Sequence, residues 1–181
     1  MSVRAALRGG TARHHERVDA LFGGFDLRDP GEYGRFLIAQ AEAFLPIEAA
    51  IDAHDIAHLV ADWPSRRRGD RLRQDLRELG LPLAMPMAEM TFTDDASALG
   101  ALYVIEGSRL GGALLKRNLP ADLPQNFLGT KGRPGSWPKL LEILDEYLYG
   151  TVRIGLALQA ARAAFACFEA AGRRHLGAEP A

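Results

Sequence analysis

Two histidines stand side by side, His14 and His15, in the stretch T-A-R-H-H-E-R-V-D from Thr11 to Asp19. A neutral imidazole ligates metals and exchanges protons near neutral pH, but a helical histidine can equally be a hydrogen-bonded part of a core. On a helical wheel centred on Leu7 and Val18, His14 falls near the middle of the apolar stripe and His15 about 80° away, on its flank. Periodicity alone therefore points to His14 as the buried ring. Arg8, however, lies seven residues before His15, which on a helix means about 10 Å along the axis and within about 20° of the same face. An imidazole and a cation pointing the same way would suit a metal-centred ligand with acidic edges.

The second constellation is A-L-G-A-L-Y-V-I-E-G-S-R-L-G-G-A-L-L-K-R, residues 98–117. At about 100° per residue, Gly100, Gly107 and Gly111 fall within about 40° of one another, with Ser108 and Gly112 beside them. Each interior glycine costs a helix about 0.8 to 1 kcal/mol against alanine, so something must pack on the bared backbone. That something is either another helix in close contact or a flat ligand, with the helix bending at Gly111-Gly112 to fit it.

Other groups are less directed. His54 and His58 lie one turn apart with Asp52 and Asp55 nearby, a spacing that could hold zinc or simply form a polar helix end. Arg66, Arg67, Arg68, Arg71, Arg73 and Arg77 form either a docking face for an acidic partner or a solvated face paired with its own acids. Cys167 and His175 carry no motif.

These side chains need helices to hold them. Residues 2–22 form a first amphipathic helix stopped by Gly23-Gly24. Asp29 caps a second, with Pro30 at its first position and Glu32 in its first turn, running to about 53 with a kink at Pro46. Ser65 can cap a helix over 66–79 ended by Gly80, and Leu81 to Thr93, with its prolines and methionines, is apolar but non-periodic, a packed loop. Asp94 or Asp95 opens the glycine-bearing helix, which ends near Leu119-Pro120. After a Pro/Gly-rich loop, Ser136 caps a final helical region with a break near Gly150, reaching about Arg174. No sustained strand alternation occurs, so the fold class is all-α, with five to six helices and a single domain over 1–181.

Composition narrows the function. With 22 lysines and arginines against 23 aspartates and glutamates, a net charge of -1 supplies no field for gathering nucleic acid. One cysteine excludes an intramolecular disulfide framework and multi-cysteine metal sites, in keeping with a reducing cytoplasm. No signal-like segment or bilayer-length apolar run stands out, so a soluble cytoplasmic protein is expected.

The pattern L-R-x-x-T-x-x-x-H-x-x-x-D, read as Leu7, Arg8, Thr11, His15 and Asp19, resembles the proximal helix of heme oxygenases. Tyr103 to Gly112, Y-V-I-E-G-S-R-L-G-G, resembles their glycine-rich distal helix, especially in the branch that accompanies bacterial phytochromes. The resemblance implies a helical bundle with heme sandwiched between a proximal and a kinked distal helix. Residue by residue it implies His15 as axial ligand of the heme iron, Arg8 as a propionate anchor, Thr11 as part of the heme-binding set, and Gly107, Gly111 and Gly112 as backbone beside the oxygen-binding face. His14 would be a neighbour.

Many family members carry an aspartate directly after the first distal glycine, holding water that delivers protons; this chain has Ser108. A serine can hold a water without matching a carboxylate's polarisation, so Glu106, another acid or a water chain would have to substitute. Gly9-Gly10 is a second departure, expected to delay or fray the first helix. The implied activity is oxidative cleavage of heme, at once substrate and cofactor, to biliverdin, carbon monoxide and ferrous iron, using O2 and an external electron donor such as a ferredoxin or flavin reductase. A bacteriophytochrome would receive the product. Lys131, Arg133, Lys139 and Arg153 could meet the propionates or be solvated surface charge. The alternatives are a heme or tetrapyrrole binder without turnover, and a structural helical module.

Overall fold

In the computed structural model, which describes residues 2–83 and 85–177, every regular element is helical. The elements are α1 (Val3–Phe22), α2 (Pro30–Ala53), α3 (Trp63–Arg66), α4 (Gly69–Glu78), α5 (Asp95–Leu115), α6 (Ser136–Tyr147) and α7 (Gly150–His175), with 3-10 turns at Ile56–His58 and Lys116–Asn118. The all-α expectation holds, with more and shorter helices than the sequence indicates.

α1 starts at Val3 without delay. Ser2 caps it, the hydroxyl accepting the Ala5 N–H at 3.2 Å, and the Val3 N–H reaches the Asp145 carboxylate of α6 at 3.1 Å. The Gly9-Gly10 pair does not fray the helix. Gly10 is where α7 crosses it: a Cβ there would overlap Leu158, and the Gly10 carbonyl accepts Arg162 Nε at 2.9 Å.

α2 is capped by Asp29, whose carboxylate accepts the Glu32 N–H, and it runs through Pro46 as one helix. A proline has no N–H to donate, so the Glu42 carbonyl one turn earlier lacks its helical partner. The Met87 N–H donates to it instead at 2.9 Å, which docks the non-periodic 81–93 segment on α2.

The helix expected over 66–79 is divided. Residues Trp63–Arg66 form one turn, the chain extends at Arg67 (φ -58°, ψ 139°), and α4 begins at Gly69. The cause lies far away in sequence: the buried Glu48 carboxylate accepts the N–H groups of Arg68 and Gly69 at 2.7 and 2.9 Å. Ser65 is no cap; its hydroxyl donates to the Asp62 carbonyl. Asp94 caps α5, accepting the Ser97 N–H at 2.8 Å, while Asp95 is used elsewhere. At α6 the cap position is Gly135 (φ +78°), so Ser136 is the first helical residue and not the cap.

α7 is the central strut, packed against α1, α2 and α5. α7 is long and apolar enough to cross a bilayer by length and composition, but Arg153, Arg162 and Glu169 interrupt its apolar run and it is the helix on which the others pack. The Pro/Gly-rich loop between α5 and α6 is pinned by the fully buried Asp75 carboxylate, which accepts N–H groups from Asn126 and Phe127, and by the Tyr33 hydroxyl, which donates to the Pro124 carbonyl. Phe127 and Leu128 are thereby held inward.

Candidate functional site

A cavity of about 540 Å³ opens between the C-terminal halves of α1 and α5, within the range of about 300–1,000 Å³ usual for small-molecule sites. His15, Val18 and Asp19 line it from α1; Gly107, Ser108, Gly111 and Gly112 line it from α5. Phe165 and Phe168 of α7 and Phe127 and Leu128 of the pinned loop add apolar wall.

His15 lines this cavity and His14 does not. The His15 Nδ1 lies 2.9 Å from Asp19 Oδ2, one helical turn on, with the ring edge-on to Phe165 at 5.8 Å. A carboxylate facing Nδ1 fixes the proton there and leaves the Nε2 lone pair free, the tautomer and orientation a metal ligand requires. His14 is half-buried, stacked over Phe165 at 6.5 Å, its Nδ1 accepting from Arg17 Nη2 at 2.9 Å.

The remaining α1 residues divide. Thr11 is buried and its hydroxyl donates to the Leu7 carbonyl at 2.7 Å, within the helix, so the structure places it in the core and not on the cavity wall. Arg8 is exposed and has no ion-pair partner among the described residues. Burial pushes the phenol of the cavity residue Tyr103 up, while the charges of Arg4 and Arg8 pull it back; neither arginine lines the cavity itself.

The glycine stripe serves two purposes. At Gly100 a Cβ would sit 2.7 Å from the Ala157 Cα of α7 and overlap its carbonyl, so this glycine permits a helix crossing. At Gly111 a Cβ would meet nothing within 4 Å, and at Gly107 only the Trp137 ring edge at 3.6 Å. These two leave open a space that side chains would fill. Trp137 of α6, tilted against Tyr103 at 5.6 Å, also lines the cavity.

Ser108 is closely held. Its hydroxyl donates to the Ile105 carbonyl at 2.7 Å and accepts from Arg68 Nη2 at 2.9 Å. The hydroxyl's only proton is spent within the helix, leaving a lone pair and no donor for the cavity. Glu106 points elsewhere: it is 4 % exposed and held by Arg66 Nη1 at 2.9 Å and Arg109 Nη2 at 2.7 Å. It does not line the cavity.

The arginine cluster is not uniformly solvated. Arg67, Arg71 and Arg77 are exposed, but Arg66 and Arg68 are buried. Arg68 lies between the Phe44 and Phe127 rings at 4.8 and 4.9 Å, and it lines the cavity together with Gln40, which is one turn before Phe44 on α2. Sequence reasoning missed both residues. For Gln40 the only signal is a polar residue within an apolar run, and Arg68 is hidden among its charged neighbours.

Lys131, Arg133, Lys139 and Arg153 do not line the cavity; Arg153 stacks on Tyr147 and Tyr149 and donates to the Tyr147 carbonyl. His54 and His58 converge on Asp95, and among the described residues no group of three or more histidine, cysteine or acidic side chains is arranged to hold a metal ion.

No profile of a known protein family matches the chain. Among curated proteins it is similar to a heme oxygenase from Xanthomonas campestris pv. campestris, 34% identical over 112 residues covering 59% of this chain and 67% of that one. It is also similar to heme oxygenase PigA from Pseudomonas aeruginosa, 33% identical over 150 residues covering 75% and 73%. In fold it matches the NO- and CO-bound heme oxygenase from Neisseria meningitidis, with a TM-score of 0.81, 24% identity and coverage of 99% and 94%. The heme oxygenase from Leptospira interrogans aligns with a TM-score of 0.74, 18% identity and coverage of 96% and 100%.

Proposed function

Because the chain belongs to the heme oxygenase family, we propose that it binds heme in the α1–α5 cavity, through His15, and opens the ring to biliverdin with release of carbon monoxide and ferrous iron. The observation that carries this is the pairing across one cavity of a free imidazole Nε2, oriented by Asp19, with a floor of side-chain-free backbone at Gly107 and Gly111. The residues fit the group: the ligand is on one wall, and a Cβ at Gly111 would stand in the space a flat macrocycle needs.

Heme supplies the oxygen and redox chemistry, drawing O2 and electrons from an external donor such as a ferredoxin or flavin reductase. The chain's own part is orientation and exclusion. His15 would hold the macrocycle, and Phe165, Phe168, Phe127 and Leu128 would supply apolar wall against it. Backbone at Gly107 and Gly111, free of side chains, would leave room for the group to lie close against α5. Arg8, whose charge with that of Arg4 is felt at Tyr103, would meet the group's carboxylates. The E-G-S segment's resemblance to the phytochrome-associated branch supports a cytoplasmic role in supplying a bacteriophytochrome with its bilin.

A heme or tetrapyrrole binder without turnover is the alternative, favoured by the commitment of the Ser108 proton to Ile105 and of Glu106 to two arginines. Hemin titration tests the shared premise. A Soret shift that collapses in His15→Ala is expected; an unchanged shift overturns the ligand assignment. Reductant under oxygen should then yield a biliverdin band, and tight heme binding without that band selects the binder.

A further inference from the structure

Arg68 is 2 % exposed, yet no carboxylate among the described residues lies within ion-pair distance of its guanidinium. The buried Glu48 carboxylate accepts the Arg68 backbone N–H instead, and Glu106 is engaged by Arg66 and Arg109. The guanidinium makes its hydrogen bonds through Nη2 alone, to the Ile105 carbonyl and the Ser108 hydroxyl, both neutral acceptors. Its Nε is buried with no partner. A buried cation left in this condition is costly, since neutral acceptors and two aromatic faces offset only part of its desolvation. Burial, reinforced by the Arg109 charge, accordingly pulls it down to about 9. What would compensate it is a negative charge in the cavity it lines.

We propose that Arg68, anchored by Ser108, makes the α5 side of the cavity selective for small anionic ligands, the guanidinium donating to the anion while Gln40 offers a second N–H from α2. The guanidinium charge sets the class, and azide and fluoride are the small monoanions that probe it. Ser108 is a positioning residue here. Its lone pair holds Nη2 at 2.9 Å, and its hydroxyl is in turn tied to Ile105. This assigns the charge on this wall to a fixed guanidinium in place of a carboxylate.

The proposal rests on heme binding at His15, and the experiment separates the two. Hemin-loaded ferric protein is titrated with azide and fluoride, and with neutral imidazole as control, in wild type, Arg68→Met, Arg68→Lys and Ser108→Ala. A charge-assisted hydrogen bond lost from a dry site should weaken azide and fluoride by about tenfold or more in Arg68→Met while leaving imidazole within about threefold. Arg68→Lys should restore part of the anion affinity, and Ser108→Ala, which keeps the charge but removes one of the two acceptors that hold Nη2, should fall between. A merely structural arginine would shift anions and imidazole alike, and that outcome overturns the proposal. Should Arg68→Met fail to fold, the Ser108→Ala and Arg68→Lys ratios of azide to imidazole affinity decide it: ratios equal to wild type in both overturn it. Loss of the Soret shift in wild type, or its persistence in His15→Ala, overturns the heme reading instead, and is visible before any anion is added.

Discussion

Gly100 and Gly111 occupy nearly the same position on a helical wheel, about three turns apart, and a methyl group added at each should have opposite effects. At Gly100 it would collide with the α7 backbone at Ala157, which can yield only by separating two core helices. Gly100→Ala should therefore cost about 1–3 kcal/mol by overpacking, read as a lower urea midpoint. At Gly111 the methyl meets nothing within 4 Å, so Gly111→Ala should gain most of the helix-propensity difference of about 0.8 to 1 kcal/mol. Gly111→Leu should fold equally well and lose hemin affinity. Equal destabilisation by both alanines would sink this division of the stripe. The wheel could not make it, because a wheel projects out position along the axis, and α7 crosses α5 at one end while the cavity opens at the other. For the histidines, the flank position of His15 is the one that faces the cavity, whereas Arg8, set by its spacing on the same side of α1, is not part of the cavity wall.

Between elements, the largest departures from sequence-based expectation come from single long-range polar contacts. Glu48 takes the N–H groups of Arg68 and Gly69 and makes the helix expected from 66 begin at Gly69; Pro46 leaves the Glu42 carbonyl for Met87. Neither partner is near in sequence, so no local pattern could announce it. The junction of α2, α5 and α6 is another such contact. Asp95 accepts from His54 Nε2 at 2.8 Å, His58 Nε2 at 3.2 Å and the Tyr147 hydroxyl at 2.8 Å, while His58 Nδ1 faces the Asp55 carbonyl at 2.8 Å. His58 satisfies both acceptors only as imidazolium, and the Asp55 carbonyl, followed by Asp95, raises it above its ordinary value. Although burial pushes the Asp95 carboxyl up, its bonds from His54, Tyr147 and His58 hold it below the usual range. A raised histidine contributes stability that is full below its unfolded value and is lost as pH rises through the folded one; a lowered carboxylate contributes above its unfolded value and is lost in acid. The clamp should thus be strongest between about pH 4 and 6.5. His58→Ala should lower the urea midpoint more at about pH 5 than at about pH 8.5, by a small amount because the ring is half-exposed. An equal loss at both would show that the imidazolium contributes nothing.

Over the whole molecule, α1 and α5 are each fastened to α7, and the principal packing does not join their C-terminal halves to one another. The cavity occupies the space between them, so a ligand held by His15 on one side and resting on Gly107 and Gly111 on the other becomes the missing contact. The helices themselves were legible from periodicity and caps, but this arrangement was not, since nothing local in α1 or α5 says that both lean on a third helix. The consequence is a linkage between binding and folding. At a free hemin concentration of about one hundred times Kd, mass action adds about 2.7 kcal/mol to the stability of a chain that binds only when folded. For a chain of this size that corresponds to a rise in Tm of about 5–11 °C. Hydrogen exchange should slow along residues 15–22 and 107–115, where the walls face the ligand, and remain unchanged in α4, which lies outside it. His15→Ala should abolish most of the Tm shift and the protection together. A full Soret change with protection confined to α4 or the α2–α5–α6 junction would place the heme outside this cavity.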